Sequence, residues 1–356
     1  MRRLQFHPCG NFRETYEEDF ALFDTDFGRL WVVIGLILLF GVVPIISSPY
    51  ALFILNHIAI ATIGAVGLNL LIGYTGLISL GHGALFGVGA YTAAIIVTRL
   101  GAPFWVALPC AGLVTAMVGM VLGMPSARLK HLYLIIATLA GQFIIQYLFM
   151  NWDDLTGGTE GFVLPPITIF SINIRNDLTF FFIAFPCAVL LTWIAVNIVR
   201  TRFGRAFVAI RDNDRAAVGM GIPIFRYKLL SFTISSFYAG FAGGLWSIYM
   251  GSITPEPFTL FLSIEYIAMV IVGGLGSFAG SVFGAIFITL LNEGLSQITT
   301  FAMNVEAFKQ WALTIAPLRE FVFGAAIVGF IILEPRGLAE VWRIVRSSFR
   351  LWPFSY

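Results

Sequence analysis

Polar residues are scarce in this chain, so the few that interrupt its apolar runs mark where chemistry could happen. The first is the stretch 73–83, GYTGLISLGHG, which continues through Gly87 and Gly89. Glycine at this density would weaken a soluble helix by roughly 1 kcal/mol per residue. In a membrane it permits close helix approach, or an unwound segment whose free amides and carbonyls line a cavity. In the second case Tyr74, Thr75, Ser79 and His82 are polar groups on a translocation route; in the first they sit in plain small-residue packing. The second stretch is 273–277, GGLGS, followed by Gly280 and Gly284, with Glu265 upstream in an apolar run. A carboxylate at membrane depth is costly and faces a cavity or finds a partner. Glu265 could contact a solute ammonium group, hydrogen-bond a helix break, or lie nearer the surface.

The third stretch is basic. Residues 204–221 read GRAFVAIRDNDRAAVGMG, within a segment 200–228 that also carries Arg200, Arg202, Arg226 and Lys228. Helix formers dominate from Arg205 to Met220, Asp212 and Asp214 interrupt the positive series, and Gly219 and Gly221 supply a stop before Pro223. A bland loop needs only its charge. This one offers a short helix with small residues (Ala206, Ala209, Ala216, Ala217) suited to docking in a groove of another protein.

Other chemistries find no pattern. The chain has neither the G-x-x-x-x-G-K-[ST] phosphate loop nor the H-E-x-x-H zinc helix. His7, His57, His82 and His131 lack ligand spacing, and Cys9, Cys110 and Cys187 form no metal or redox motif. Neither a catalytic group nor a metal or cofactor site is expected.

The elements that must hold these stretches are membrane helices. Of 356 residues, 58% are hydrophobic and 11% charged, whereas soluble domains carry charge on roughly a quarter. No Asp, Glu, Lys or Arg occurs between Arg29 and Arg99. As a helix that stretch would measure roughly 100 Å, about three crossings of a 30 Å bilayer core. Its continuous apolar character excludes a barrel, leaving an all-α polytopic fold. Ten candidate spans follow: Trp31–Ile46, Tyr50–Ile72, Gly83–Thr98, Pro103–Pro125, Leu132–Met150, Leu178–Val199, Leu229–Met250, Phe258–Val272, Phe278–Asn292 and Phe321–Leu333.

Charge in the loops sets the orientation. Arg128 and Lys130, the segment 200–228, and Arg336, Arg343, Arg346 and Arg350 are basic, while loop 151–177 holds Asp153, Asp154, Glu160 and Asp177 against one Arg175. With both termini in the cytoplasm, ten crossings put all three of these basic groups inside and the acidic loop outside. Residues 1–30 mix acids with Phe12, Tyr16, Phe20, Phe23 and Phe27 at helical spacing, an amphipathic cytoplasmic segment rather than a signal peptide. The transmembrane region is 31–335 and the cytoplasmic tail 336–356. Ten spans also divide into five plus five of opposite orientation, as an inverted repeat requires.

Residues 68–84, LNLLIGYTGLISLGHGA, closely resemble the signature of LivM-type permeases of the branched-chain amino acid ABC importers. Further similarity runs through 151–158 (NWDDLTGG), 204–221 with 226–230 (RYKLL), 262–266 (LSIEY) with 273–277, and 334–338 (EPRGL), in family order. The resemblance implies a subunit in the bacterial inner membrane that pairs with a LivH-type permease. It implies two cytoplasmic ABC ATPases that bind the ATP, and an external solute-binding protein; nucleic acid has no part, and lipid is the remaining partner. By the same resemblance Gly204, Arg205, Ala206, Arg211, Asp212, Asp214, Gly219 and Gly221 belong to the ATPase-coupling loop, and Asn69 and Tyr74 to His82 lie near the passage. One departure stands out. Where such chains carry a glutamate and an arginine in the fifth span, this one has Gln142 and Gln146, which implies a changed solute if that pair touches cargo. An ion-coupled secondary transporter or a passive channel is the alternative; neither accounts for a structured basic loop.

Overall fold

The computed structural model describes residues 30, 34–35, 37–126, 132–169, 172–304, 318–334 and 337–351. Residues 1–29 of the expected amphipathic segment, and residues 31–33 and 36 of the first expected span, lie outside them. From that span the described residues are helical at Leu38–Val42, a π-helical turn, and at Val43–Ile46. Helix α1 is Pro49–Asn69 and runs into a π-helical turn at Leu70–Tyr74. It is followed by α2 (His82–Arg99), α3 (Phe104–Ser126) and α4 (Leu132–Asn151). Beyond the acidic loop come α5 (Asp177–Arg200), the short α6 (Arg202–Asp212) and α7 (Asp214–Gly219), and then α8 (Ile224–Met250). The chain continues with α9 (Leu260–Gly273), α10 (Phe278–Asn304), α11 (Leu318–Leu333) and α12 (Leu338–Leu351).

The described parts of the expected spans are largely helical, with two boundaries moved by more than three residues. α8 starts at Ile224 rather than Leu229, because Lys228 does not end the apolar run. Its side chain is buried, and its ammonium lies 2.9 Å from Asp214 Oδ2. α10 continues past Asn292 to Asn304, since Glu293 and the polar residues beyond it suit a helix even where they do not suit lipid. Among the described residues, five helical stretches are long and apolar enough to cross a membrane: 49–74, 104–125, 133–151, 177–200 and 278–298. The chain is an all-α polytopic membrane protein.

Helices α2 and α8 form the interior, with α3 against both. Lipid supplies no hydrophobic drive between helices, so close packing must hold them, and small residues allow it. A methyl group at Gly89 would fall 2.1 Å from Gly240 O, and one at Gly243 would fall 1.9 Å from Phe86 O. Here the α2 and α8 backbones touch, and glycine is required.

Loops close both ends of this bundle. At one end, Phe162–Val163 pairs antiparallel with Ser252–Ile253, and Arg99 at the end of α2 donates to Asp154 O in the acidic loop. Arg175 donates to Leu164 O and Pro165 O there (2.9 and 3.0 Å), and partial burial lowers its pKa. At the other end lie α6, α7, the turn 274–277 and the start of α12.

Candidate functional site

Among the described residues, two polar clusters gather the candidate site residues at breaks in the apolar bundle. The lower one forms where α1 loses regular helix. A methyl at Gly73 would fall 1.9 Å from Asn69 Oδ1 and 2.4 Å from Gly276 N, so the turn 274–277 presses directly on the π-turn. Gly76 and Gly276 have φ of 74° and 76°, the left-handed region that side chains avoid. Asn69, fully buried, clamps the two breaks. Its Oδ1 accepts from Gly276 N (2.9 Å), and its Nδ2 donates to Ser277 O (2.8 Å) and Ser281 Oγ (2.7 Å). Tyr74 stacks on Phe278 with ring centroids 5.0 Å apart, and Thr75 Oγ1 donates to Leu70 O.

The segment 200–221 reaches this cluster. Thr201 Oγ1 accepts from Phe203 N and starts α6; Asn213 Oδ1 accepts from Arg215 N and Ala216 N and starts α7. Gly204 abuts Val199, where a methyl would fall 1.9 Å from the carbonyl oxygen, and this permits the sharp turn out of α5. Ala206, Phe207, Ile210 and Ala217 are buried, whereas Arg205, Asp212, Arg215, Val218 and Met220 are exposed. Arg211 bridges the two faces. Its Nη1 donates to Gly73 O (2.7 Å) and its Nε to Asp212 Oδ1 (3.2 Å), and Gly76 and Gly276 leave room for its stem and guanidinium. Of the two glycines expected to stop the helix, only Gly221 has a left-handed backbone (φ 80°); Gly219 is helical with open space around it.

The upper cluster lies where α2 begins, midway along α4. Gln142, fully buried, accepts through Oε1 from Ala84 N (2.7 Å) and Ser263 Oγ (3.1 Å), and donates through Nε2 to Phe258 O (2.9 Å). Ser263 Oγ in turn accepts from Gly83 N, and Thr138 Oγ1 from Leu80 N. Ser79 Oγ accepts from Gly81 N. His82 is 1% exposed, set edge-on to Tyr266 at 5.0 Å, with its Nε2 unpartnered. The first amides of α2 thus meet the first turn of α9 inside the protein, held by Gln142 from α4.

Asn69, Tyr74 and Thr75 gather in the lower cluster, and Ser79, His82 and Gln142 in the upper one. Glu265 accepts from Asn292 Nδ2, a bond that places it on the α9–α10 seam. Thr138, Ser263, Ser281 and Asn292 carry much of this network with Ser277, and unlike Ser277 they are not singled out by the sequence as site residues. Their one local signal is a small polar residue inside an apolar run. A further polar set near the acidic loop was also missed: Tyr249 OH donates to Asp177 Oδ1 (2.6 Å), and Asn56 Nδ2 to Asp177 O (2.9 Å).

The family model described as "Branched-chain amino acid transport system / permease component" matches residues 50–331. Among individual relatives, the chain is 30% identical to the high-affinity branched-chain amino acid transport system permease protein LivM of Salmonella typhimurium, over 84% of this chain and 72% of that protein. It is 29% identical to LivM of Escherichia coli, over 87% and 75% respectively. It also shares 27% identity with the galactose/methyl galactoside import permease protein MglC of Haemophilus influenzae, over 74% of this chain and 85% of that one. No solved structure matches the chain. With the family model covering most of its length, the chain belongs to the permease components of the branched-chain amino acid transport systems.

Proposed function

We propose that this permease, which has no ATPase site of its own, imports branched-chain amino acids or a related small carboxylate or polar solute, driven by separate ATPases. The observation that carries the reading is the seat of α6. A helix at the basic end of the bundle, with an exposed face, is bonded through Arg211 to the carbonyl where α1 breaks. Movement of α6 by a docked ATPase would pull on Gly73 and, through Asn69, on the turn 274–277. Asp214 fixes α7 to α8 through Lys228, so Gly204, Arg205, Ala206, Arg211, Asp212, Asp214 and Gly221 act together as the coupling loop. Gly219 serves only as a small residue on its exposed face.

The partners that fit are a LivH-type second permease, two cytoplasmic ABC ATPases that bind the ATP, and an external solute-binding protein. The proposed layout is ten spans in a bacterial inner membrane, both termini and segment 200–228 in the cytoplasm, and loop 151–177 outside. In an inverted five-plus-five repeat, α2 and α9 would be the third spans of the two halves. Both are short, and their first turns face each other, which supports that arrangement. The route would pass between the clusters, near Tyr74, Ser79, His82 and Gln142, with Glu265 bracing the α9–α10 seam beside it. Because both ends of the Gln142 amide already bond the protein, it shapes the route rather than selecting cargo.

Proteoliposomes holding the two permeases and ATPases, with binding protein added outside, should accumulate leucine only with ATP inside. Uphill uptake by this chain alone without nucleotide, or uptake abolished by an uncoupler but not by ATPase-dead partners, would sink the reading.

A further inference from the structure

We propose that α12 is an interfacial helix that binds anionic phospholipid headgroups. It starts close behind α11, whose last residues Ile332 and Leu333 are 74% and 79% exposed, as a lipid-facing span end must be. Gly337 has φ 79°, and a methyl there would fall 2.7 Å from Gly274 Cα, so the chain reverses hard against the α9–α10 turn. From that anchor the Trp342 ring reaches Phe283, centroids 5.9 Å apart, in the second turn of the spanning helix α10. That is the depth at which tryptophan belts sit, between headgroups and acyl chains.

The helical register of α12 divides it sharply. Leu338, Val341, Trp342, Val345 and Phe349 share one face, and Arg343, Arg346, Ser347 and Arg350 the other. Trp342 remains 55% exposed and Val345 39%, too much apolar surface for a helix meant for water alone. Glu340 is the helix's one acid; it pairs with Arg343, so three arginines and one carboxylate leave an excess of positive charge. An apolar stripe at membrane depth beside a row of arginines fits an anionic lipid surface, whereas a protein groove would have to reach into the headgroup layer to cover Trp342.

The test uses the full chain with Cys9, Cys110 and Cys187 replaced by alanine, in nanodiscs of phosphatidylcholine with or without phosphatidylglycerol. A spin label at Val345→Cys should collide with oxygen more than with a water-soluble nickel chelate, and one at Ser347→Cys should do the reverse. Solubilised from mixed lipid, the variant R343Q/R346Q/R350Q should retain about tenfold less phosphatidylglycerol, and the triple lysine variant should recover it. Water accessibility at Val345→Cys in the discs, or unchanged retention by R343Q/R346Q/R350Q, would overturn the proposal. So would shielding that appears only when ATPase subunits are added, which would make α12 a protein-docking surface.

Discussion

The Asn69 side chain has one carbonyl and one NH2 group, and its described bonds go to the turn 274–277 and the first turn of α10. Asn69→Ala removes three hydrogen bonds and leaves the Gly276 amide without its acceptor. At about 1 kcal/mol per lost bond, the variant should lose about 2–3 kcal/mol. A melting temperature several degrees lower in detergent is the expected reading, and an unchanged one would mean that water replaces the clamp. Glycine separates structural need from mere presence in the same way. Gly221→Ala forces an L residue into the left-handed region at about 1–2 kcal/mol, whereas Gly219→Ala meets open space inside a helix and should melt at or slightly above the parent temperature. Sequence alone treats these two as equivalent, because spacing shows that a helix must stop near Pro223 but not which residue turns it. The partners of Asn69 were equally out of reach, since they lie more than two hundred residues along the chain and no local pattern pairs them.

At the scale of elements, helix positions were legible because apolar length is a local property: α3, α4 and α5 follow their apolar runs to within a residue or two. Boundaries differ where a charged residue does not end a helix. Lys228 is paired inside the protein, and Glu293 lies in a helix that outlasts its apolar part. The density of glycine at 73–89 was legible too, yet it carries two roles that composition cannot separate. Gly73 and Gly76 permit a break and the approach of Arg211, while Gly89, with Gly240 and Gly243 opposite, permits backbone contact between α2 and α8. The second role gives a sharp expectation. Gly89→Ala places a methyl against a backbone carbonyl, so α2 and α8 must part, and thermal stability in detergent and yield of folded protein should both fall well below those of Gly294→Ala, whose site is open. Gln142 acts at this scale as well. Gln142→Leu keeps the volume but strands the Ala84 amide and the Phe258 carbonyl, at about 2–3 kcal/mol, and should lower the melting temperature for every solute tested.

Across the whole molecule, the proposed coupling requires energy from the basic end to reach breaks buried between helices, and two separable properties of segment 202–221 bear on this. In the proposed mechanism docking depends on the outward face, where Val218 and Met220 are 59% and 81% exposed among arginines. Transmission in the same mechanism depends on Arg211, whose bond to Gly73 O ties α6 to the π-turn that follows α1. Met220→Glu puts a charge on the docking face without touching the break, so ATPase subunits should no longer co-purify while the permease itself melts normally. Arg211→Ala should do the opposite: co-purification and ATP hydrolysis persist, and uptake falls by about tenfold or more, the equivalent of roughly 1.4 kcal/mol of lost coupling. Arg211→Lys cannot reproduce a planar guanidinium lodged beside Gly76 and Gly276, and should recover only part of the uptake. If Arg211→Ala instead lost its ATPases and Met220→Glu kept them, the roles of the two faces would be exchanged, and the bond to Gly73 would be a structural tie with no part in transmission.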